Sequence, residues 1–253
     1  GGSMQYGHTK FDFQEGGMFF ASPQQLISSP TSHSESESNI QVPKLLSPQI
    51  ILLIDPDYLA GYPLAKKMSQ YHFFSYSVRE SLHLSVREKE LVLSLFRNME
   101  EELNSRIDTS SQDVVVSQIE LLLTYAQRFY NRQFLTRKPV HHDLVDRLNS
   151  ILNKYFDQAD MTEKGLPTVS LLAGALHMTP NYLSDLLKNL TGKNTQQFIH
   201  DRIIHLAKDK LLTTNKTISE ISYELGFEHS QSFTKLFKKK TSQRPSEYRL
   251  GLN

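Results

Sequence analysis

The sequence has 253 residues, of which 38% are hydrophobic and 22% charged, enough for one or two domains with a buried core. It contains no cysteine, which excludes disulfides, thiolate metal sites and cysteine nucleophiles and is consistent with a reducing compartment. The longest apolar run, residues 50–54, is far shorter than the roughly 20 residues that a membrane-spanning helix needs, and no signal peptide is visible. We therefore expect a cytoplasmic protein that does not enter a membrane.

Charge is distributed unevenly along the chain. The formal net charge of the whole chain is +1, but Lys164 to the end holds 13 Lys and Arg against 7 Asp and Glu, a net charge of +6. Residues 1–163 carry the opposing net charge of −5. A basic segment beside an acidic remainder indicates a nucleic-acid partner for one part of the chain, although basic surfaces also occur on proteins that bind no nucleic acid.

Residues 3–27 have the composition of short strands, since aromatic side chains recur there and residues 15–17 mark a turn. Two or three strands are not stable in water by themselves, so we expect them to complete a larger sheet or barrel whose other strands precede this sequence. The polar, Ser-rich residues 28–42 predict a loop. The short β-branched run at residues 48–54 predicts one more strand, and a helix is expected after Pro56.

Two longer helices are predicted at residues 86–107 and 112–134, where apolar residues recur at steps of three and four. The link between them is short and polar, which predicts an antiparallel helical hairpin. The second helix is apolar beyond a single face. This breadth favours a homodimer interface through the two helices over the alternative that the hairpin only packs against the β segment. The residues that widen the apolar surface are Val114, Val116, Leu121 and Leu123.

A second domain is predicted after a short linker. A helix at residues 143–157 opens this domain with apolar residues on one face, and residues 161–167 interrupt it. The expected division of the chain is a β segment over residues 1–54, a helical dimerisation region over 55–137, a linker over 138–142 and a C-terminal domain over 143–253.

The sequence predicts no metal site and no cofactor. His8 is isolated, and His8 with Glu15 does not amount to the ligand cluster that a metal-dependent enzyme needs. His141 and His142 are adjacent, and adjacent residues of a helix do not face the same way. The glutamates of residues 100–102 indicate a solvated face.

The most informative stretch is residues 218–249, which predicts two short helices around a tight turn. Gly226 lies between them and supplies the backbone freedom of a sharp turn. The second helix, residues 230–240, carries polar and basic side chains opposite its apolar ones, as a helix that enters the DNA major groove does. The apolar positions are Ile218, Ile221 and Leu225 in the first helix and Phe233, Leu236 and Phe237 in the second.

Residues 169–198 repeat this pattern in apolar register, 49 positions earlier before the turn and 50 positions earlier after it. The second helix of this earlier copy, residues 180–190, has a predicted N-cap at Thr179 and Pro180 at its first position. His177 stands where the later copy has Gly226. A helix at residues 196–212 joins the copies and is expected to hold the two reading helices so that they enter successive major grooves, about 34 Å apart.

The exposed faces of the two reading helices supply the candidate DNA contacts. Asn and Gln can read adenine, Lys can read guanine, and Asp can accept from cytosine, although Asp185 also repels phosphate. The alternative is that these are ordinary solvated residues on two small helical bundles, which the repeat argues against. The predicted base-reading residues are Asn181, Tyr182, Ser184, Asp185, Gln231, Ser232, Thr234 and Lys235. The predicted phosphate contacts are Lys188, Lys193, Ser230, Lys238, Lys239, Lys240 and Arg244.

Residues 143–253 resemble the AraC/XylS family of transcription regulators. The resemblance rests on Ile218-Ser-Glu-Ile221, Leu225-Gly-Phe227, Phe233, Phe237-Lys238 and Pro245-Ser-Glu-Tyr248-Arg249. Ser242 stands where the family usually has glycine, and Thr195 where the first copy often has proline; these departures concern a turn and a helix start. Residues 6–25 are similar, over a fragment only, to the end of the cupin-like sensor domain of many members.

The resemblance implies a sequence-specific regulator that binds double-stranded promoter DNA, is usually dimeric and is often an activator that contacts RNA polymerase. It also implies a small-molecule effector pocket in the N-terminal barrel. The predicted fold is mainly α, with about seven helices in a double helix-turn-helix domain, preceded by a helical hairpin and a partial cupin-like β segment. The alternatives are a cupin-type metal-dependent enzyme and a helical adaptor that binds protein instead of DNA.

Overall fold

A computed structural model of the chain describes residues 3–6, 9–12, 16–23, 50–105, 108–136, 143–157 and 165–251. The chain divides into two compact units, Gly1–Thr136 and Arg137–Asn253. The described part is mainly helical, which confirms the fold class that the apolar periodicity predicts.

The first unit combines two small antiparallel strand pairs with a helical hairpin. Strand β1 (Ser3–Tyr6) pairs with β2 (Thr9–Asp12), and β3 (Gly17–Met18) pairs with β4 (Leu82–His83). Helix α1 spans Pro63–Lys67, and the long helices are α2 (Val86–Asn104) and α3 (Ser111–Thr136). Short 3-10 helices span Pro56–Leu59, Met68–Gln70, His72–Ser75 and Val78–Glu80.

The turn predicted at residues 15–17 does not connect the first strand pair. Because β1 pairs with β2, their connection is residues 7–8, and Gly17 already belongs to β3. β3 pairs with a strand that lies far along the chain, a partner that no local sequence pattern indicates.

The strand predicted at residues 48–54 is wrong for its described part. Residues 50–54 form no strand, and Leu53 is 89% exposed. A β-branched run stabilises a strand only where it packs on a half-buried sheet, and the described residues offer this run no sheet partner. The predicted loop at residues 28–42 lies outside the described residues, as do positions 48 and 49.

Helices α2 and α3 form the predicted antiparallel hairpin. Helix α2 begins with a capping box, in which the Ser85 N–H donates to the Glu88 carboxylate at 2.8 Å and the Ser85 side chain accepts from the Glu88 N–H. Glu88 also accepts two hydrogen bonds from Arg132, at 2.7 and 3.0 Å. Because Arg132 lies near the end of α3, the start of α2 lies beside the end of α3.

A buried amide attaches β4 to α3. Gln133 is 1% exposed, and its side chain accepts from the His83 N–H at 2.8 Å and donates to the Ser81 carbonyl at 3.2 Å. Both polar ends of this amide are therefore satisfied, which is the condition for burying it. Around it packs an aromatic core, in which Phe73 stacks on Tyr130 with ring centroids 5.6 Å apart.

The second unit contains seven helices among its described residues, the number that the resemblance implies. The central helix α7 contacts α6 on the side of the first copy and α8, α9 and α10 on the side of the second. The helices are α4 (Leu144–Asp157), α5 (Val169–Ala175), α6 (Pro180–Thr191), α7 (Thr195–Thr213), α8 (Ile218–Glu224), α9 (Ser230–Thr241) and α10 (Pro245–Leu250).

Local capping explains where several of these helices begin. Thr179 is the N-cap of α6, accepting from the Tyr182 N–H at 3.3 Å, and Pro180 occupies the first helical position, as predicted. Helix α7 begins with an Asn194 capping box and α8 with a Thr217 capping box. The starts of these three helices are therefore determined by residues next to them in sequence.

Candidate nucleic-acid interface

The two sequence copies have the same backbone hydrogen bonds at their turns. In the first copy, the Met178 N–H donates to the Ala173 carbonyl at 2.9 Å; in the second, the Phe227 N–H donates to the Ser222 carbonyl at 3.1 Å. These bonds close the C-terminal ends of α5 and α8 in the same way. The repeat that the sequence predicts is therefore also a repeat of the turn geometry.

Each turn contains one residue whose backbone lies in the left-handed region, with positive φ. His177 has φ = 56° in the first copy, and Gly226 has φ = 86° in the second. Glycine adopts this conformation at no steric cost, and histidine is among the non-glycine residues that adopt it more readily. Gly226 has a further constraint, because a Cβ there would lie 2.5 Å from the Gly165 carbonyl oxygen.

The two reading helices, α6 and α9, also end in the same way. Gly192 follows α6 with φ = 77°, and Ser242 follows α9 with φ = 65°. Their backbone N–H groups donate to the Lys188 and Lys238 carbonyls at 2.9 and 2.8 Å. Each copy therefore contains two left-handed positions, one occupied by glycine and one by another residue, in opposite order.

Buried apolar side chains position the reading helices against their partners. These residues are at most 1% exposed and include Leu172, Leu183 and Leu187 of the first copy and the predicted apolar positions Ile221, Phe233 and Phe237 of the second. Leu236 is only half-buried. Because the apolar sides are fixed in the core, the polar sides of α6 and α9 face outward.

Helix α9 exposes most of the base-reading residues predicted for it. Gln231, Ser232 and Lys235 are exposed, on one side of the helix near its N-terminal end. Thr234 is half-buried, and its hydroxyl donates to the Ser230 carbonyl at 3.0 Å. The outward face of α9 is thus polar and basic.

Helix α6 exposes fewer of its predicted base-reading residues than α9 does. Asn181 is exposed and Asp185 is half-buried. The Ser184 hydroxyl donates to the hydroxyl of buried Thr195 at 3.3 Å, which turns Ser184 toward the start of α7. Tyr182 is only 4% exposed, so the prediction that it contacts a base is at odds with its burial. Its position on α6 places the ring in the packing between helices.

The predicted phosphate contacts fall into two groups. Ser230, at the start of α9, is half-buried, and all six cationic residues are exposed; four of them, Lys188, Lys238, Lys239 and Arg244, form the first group. The other two, Lys193 and Lys240, form ion pairs with the same carboxylate. Lys193 Nζ lies 2.6 Å from Asp201 Oδ2, and Lys240 Nζ lies 2.7 Å from Asp201 Oδ1.

This shared carboxylate lies in a strongly positive setting. Partial burial by itself would raise the pKa of Asp201, but the hydrogen bonds from Lys193 and Lys240 outweigh burial and hold the pKa below its usual value. Partial burial lowers the pKa of His200, and the nearby charge of Lys240 lowers it further. The lowered pKa of Asp201 therefore reflects the two ammonium groups at the ends of the reading helices, whereas the lowered pKa of His200 reflects burial first and positive charge second.

Asp201 and Gly165 make contacts with distant residues that the sequence does not indicate. Lys240 lies 39 residues after Asp201, so no local spacing reveals the pair. Gly165 accepts a hydrogen bond from the Tyr155 hydroxyl at 3.0 Å and faces Gly226 of the second copy. The one signal in the sequence is that Asp201 lies between Lys193 and the lysine run at residues 238–240, and this signal is weak.

The described part of the chain offers no competing metal centre. Among those residues, no group of three or more His, Cys, Asp or Glu side chains could hold a metal ion. His8, Glu15, His141 and His142 lie outside the described residues. None of the described helices has the length and hydropathy to cross a membrane.

Comparison with known proteins points to the same region. A family profile described as "Helix-turn-helix domain" matches residues 172–251. The chain is 39% identical over 82 residues to the HTH-type transcriptional regulator YobQ of Bacillus subtilis (strain 168), covering 32% of this chain and 34% of that protein. It is 32% identical over 113 residues to the bifunctional transcriptional activator/DNA repair enzyme AdaA of the same organism, covering 44% of this chain and 52% of that protein.

Among solved structures, the C-terminal domain of AraT, a response regulator from Geobacillus stearothermophilus, is 28% identical with a TM-score of 0.37 and covers 42% of this chain and 84% of that chain. The chain thus spans between a third and about half of the length of the two curated relatives. The matched residues contain both repeated turns, the connecting helix and both reading helices. The second unit of this chain therefore carries a helix-turn-helix domain over residues 172–251.

Proposed function

We propose that the protein is a transcription regulator that binds double-stranded promoter DNA sequence-specifically, with α6 and α9 in successive major grooves. One observation carries the proposal: two helix-turn-helix units have matching turn hydrogen bonds, at Met178 and Phe227, and both present polar side chains outward. A single exposed polar helix is common on protein surfaces. Two copies in register on one connecting helix are the arrangement that two half-sites one helical turn apart require.

Helix α9 is proposed as the stronger reader. Lys235 can donate to guanine, and Gln231 can bond adenine through two groups, because both side chains are exposed on the same face. On α6, Asn181 can read adenine and Asp185 can accept from cytosine. Asp185 also repels nearby phosphates, so α6 is expected to add less affinity than α9.

The cations at the ends of the reading helices are proposed to position the domain on the duplex. Lys188, Lys238, Lys239 and Arg244 are exposed and are assigned to phosphates together with Ser230. Lys193 and Lys240, also predicted as phosphate contacts, form ion pairs with Asp201. Phosphate contacts set register and orientation and carry no direct sequence information. Their number determines how steeply binding weakens as salt is raised.

A homodimer through the helical hairpin is a further part of the proposal. Two of the four residues that widen the apolar surface of α3, Val116 and Leu123, are buried within the unit, whereas Val114 and Leu121 are 38% and 44% exposed. The exposed pair lies in a shallow groove with Gln118, whose buried side-chain oxygen accepts no hydrogen bond from the described residues. A second copy could cover the two apolar side chains and supply a donor to that oxygen.

Activation, a contact with RNA polymerase and a small-molecule effector are proposed on the family resemblance. AdaA, similar to this chain over part of its length, is named as a transcriptional activator, which supports the direction of regulation. The cupin-type enzyme and the protein-binding adaptor are the remaining candidates, and no observation on the described residues favours either of them.

Selection of duplexes from a random library with the purified chain tests the proposal. We expect enrichment of a site with two half-sites centred about 10.5 base pairs apart, bound with an affinity that falls as salt rises. A variant with Gln231, Ser232 and Lys235 all replaced by alanine is the control, since these exposed side chains can be removed without opening the core. A folded wild-type protein that enriches no sequence would contradict the proposal.

A further inference from the structure

Asp201 links the ends of the two reading helices. It lies on the connecting helix α7, with one carboxylate oxygen 2.6 Å from Lys193 Nζ and the other 2.7 Å from Lys240 Nζ. Lys193 directly follows Gly192, which ends α6, and Lys240 lies in the last turn of α9. One side chain thus attaches both reading units to the helix between them.

The stability gained from this arrangement is expected to be small. The side chains of Lys193, Asp201 and Lys240 are 56%, 32% and 26% exposed. Ion pairs of this exposure contribute little to stability, because water and salt screen the charges and long side chains lose freedom. We therefore expect the ion pairs to change the binding of an external anion by the two lysines more than they change folding.

The charges around Asp201 determine how strongly each neighbouring lysine can attract an external anion. Two ammonium groups face one carboxylate, so one positive charge is neutralised within the site. Exposed Lys239 adds another positive charge beside the site, since the charges of Lys240 and then Lys239 add to the effect of partial burial in lowering the pKa of neighbouring His200. An incoming phosphate has to compete with Asp201 for Lys193 and Lys240 but finds Lys239 unopposed by that carboxylate.

We propose that Asp201 limits the DNA affinity of this domain by competing with backbone phosphates for Lys193 and Lys240. This inference rests on the proposed DNA binding. In the wild-type protein the carboxylate keeps one or both ammonium groups from the phosphates, in the free protein and on DNA; without the carboxylate, each of the two lysines is open to a phosphate. Because phosphate contacts carry no sequence information, the competition should reduce the affinity for cognate and random sequences by the same factor.

Asp201→Asn is the direct test, and Asp209→Asn is the matched control. Asp209 lies on the same helix and its removal changes the net charge equally, but its ion-pair partner is His205, 3.6 Å away, and not a lysine. Anisotropy titrations over a range of salt concentrations would use a random duplex and, once selected, a cognate duplex. Circular dichroism and thermal unfolding establish that each variant is folded.

For Asp201→Asn we expect tighter binding to both duplexes by the same factor. The slope of log affinity against log salt should steepen by about 0.9 for each lysine released to a phosphate. Asp209→Asn should keep the wild-type slope. In a Lys193→Gln/Lys240→Gln background, Asp201→Asn should no longer alter the slope. An unchanged slope in Asp201→Asn, or an equal change in Asp209→Asn, overturns the proposal.

Two measurements separate this proposal from the proposed function. Elution from a heparin column requires no sequence preference, and Asp201→Asn should elute at higher salt than Asp209→Asn. In the wild-type protein without DNA, acetylation followed by mass spectrometry should modify Lys193 more slowly than Lys239; equal rates would overturn the ion-pair assignment. A wild type without sequence preference that still shows both effects would refute only the proposed function.

Discussion

The carbonyl of Gly165 closes the space beside Gly226. A Cβ at Gly226 would lie 2.5 Å from the Gly165 oxygen and 2.7 Å from its carbonyl carbon, both backbone atoms that cannot rotate away. The same oxygen accepts a hydrogen bond from the Tyr155 hydroxyl at 3.0 Å, which holds it in place. The turn of the second copy is thus fitted to the segment that precedes the first copy.

Gly226→Ala should therefore destabilise the second unit strongly. The residue has φ = 86°, and the new methyl group would meet backbone on top of that strain, so we expect a loss of about 3 kcal/mol or more in the free energy of unfolding. His177→Gly is the matched control at the equivalent position, where a side chain is accommodated, and should change stability by less than about 1 kcal/mol. Urea unfolding of both variants measures the difference; equal effects would contradict the role assigned to Gly165.

Ser242→Gly should stabilise the protein. Ser242 ends α9 in a left-handed conformation, φ = 65°, in which an L-residue is strained by about 1–2 kcal/mol relative to glycine, less the entropy that glycine loses on folding. We expect a gain of about 0.5–1 kcal/mol, and the reciprocal change Gly192→Ser should cost a similar amount at the end of α6. Thermal unfolding of the two single variants checks this, and a destabilising Ser242→Gly would show that the hydroxyl has a role that its backbone geometry does not explain.

Lys235→Ala and Lys239→Ala should have different effects on DNA binding. Both side chains are exposed on α9, but Lys235 belongs to its outward face near the N-terminal end and Lys239 to its basic C-terminal turn. Lys235→Ala should reduce discrimination between cognate and altered sites by about 1–3 kcal/mol. Lys239→Ala should weaken all sequences alike and reduce the salt slope by about 1. Titrations against cognate and random duplexes distinguish these outcomes, and equal effects on both duplexes for both variants would refute the division of roles.

His200 should make stability sensitive to mild acid. Partial burial and then the charge of Lys240 lower the pKa of His200 from its ordinary 6.5, so the unfolded chain binds the proton more tightly than the folded one. Its contribution to stability is fully present above pH 6.5 and is lost as pH falls through the lower pKa of the folded state. His200→Asn should flatten the pH dependence of urea unfolding in that window. His205→Asn, on the same helix, reports the effect of losing an exposed imidazole; a slope unchanged in His200→Asn would contradict the assignment.

Leu121→Glu should weaken self-association. Leu121 and Val114 are exposed apolar residues of one face of α3, and a charge there would have to be desolvated in an interface with a second copy. We expect a shift from dimer to monomer in sedimentation velocity, with an unchanged helical circular dichroism spectrum. Leu212→Glu places the same charge at an exposed leucine of α7 and should leave the sedimentation profile as in the wild type. A wild type that sediments as a monomer would refute the dimer itself.

The sequence by itself determines the parts of this protein that depend on neighbouring residues. Thr179 and Pro180 specify the start of α6 because an N-cap and a first-turn proline act within one helical turn. The spacing of apolar residues specifies which face of α9 is buried, and the repetition of that spacing identifies two copies of one unit. These local signals suffice for the helical fold, the double helix-turn-helix and most of the outward-facing positions.

Only the tertiary structure decides what distant residues do to one another. It buries Tyr182 within the helix packing, leaves residues 50–54 without a strand partner, and brings Lys193 and Lys240 to Asp201. Each of these depends on contacts between segments whose separation along the chain has no periodicity. Burial and ion pairing are properties of the space around a side chain, and that space is formed only when the helices pack.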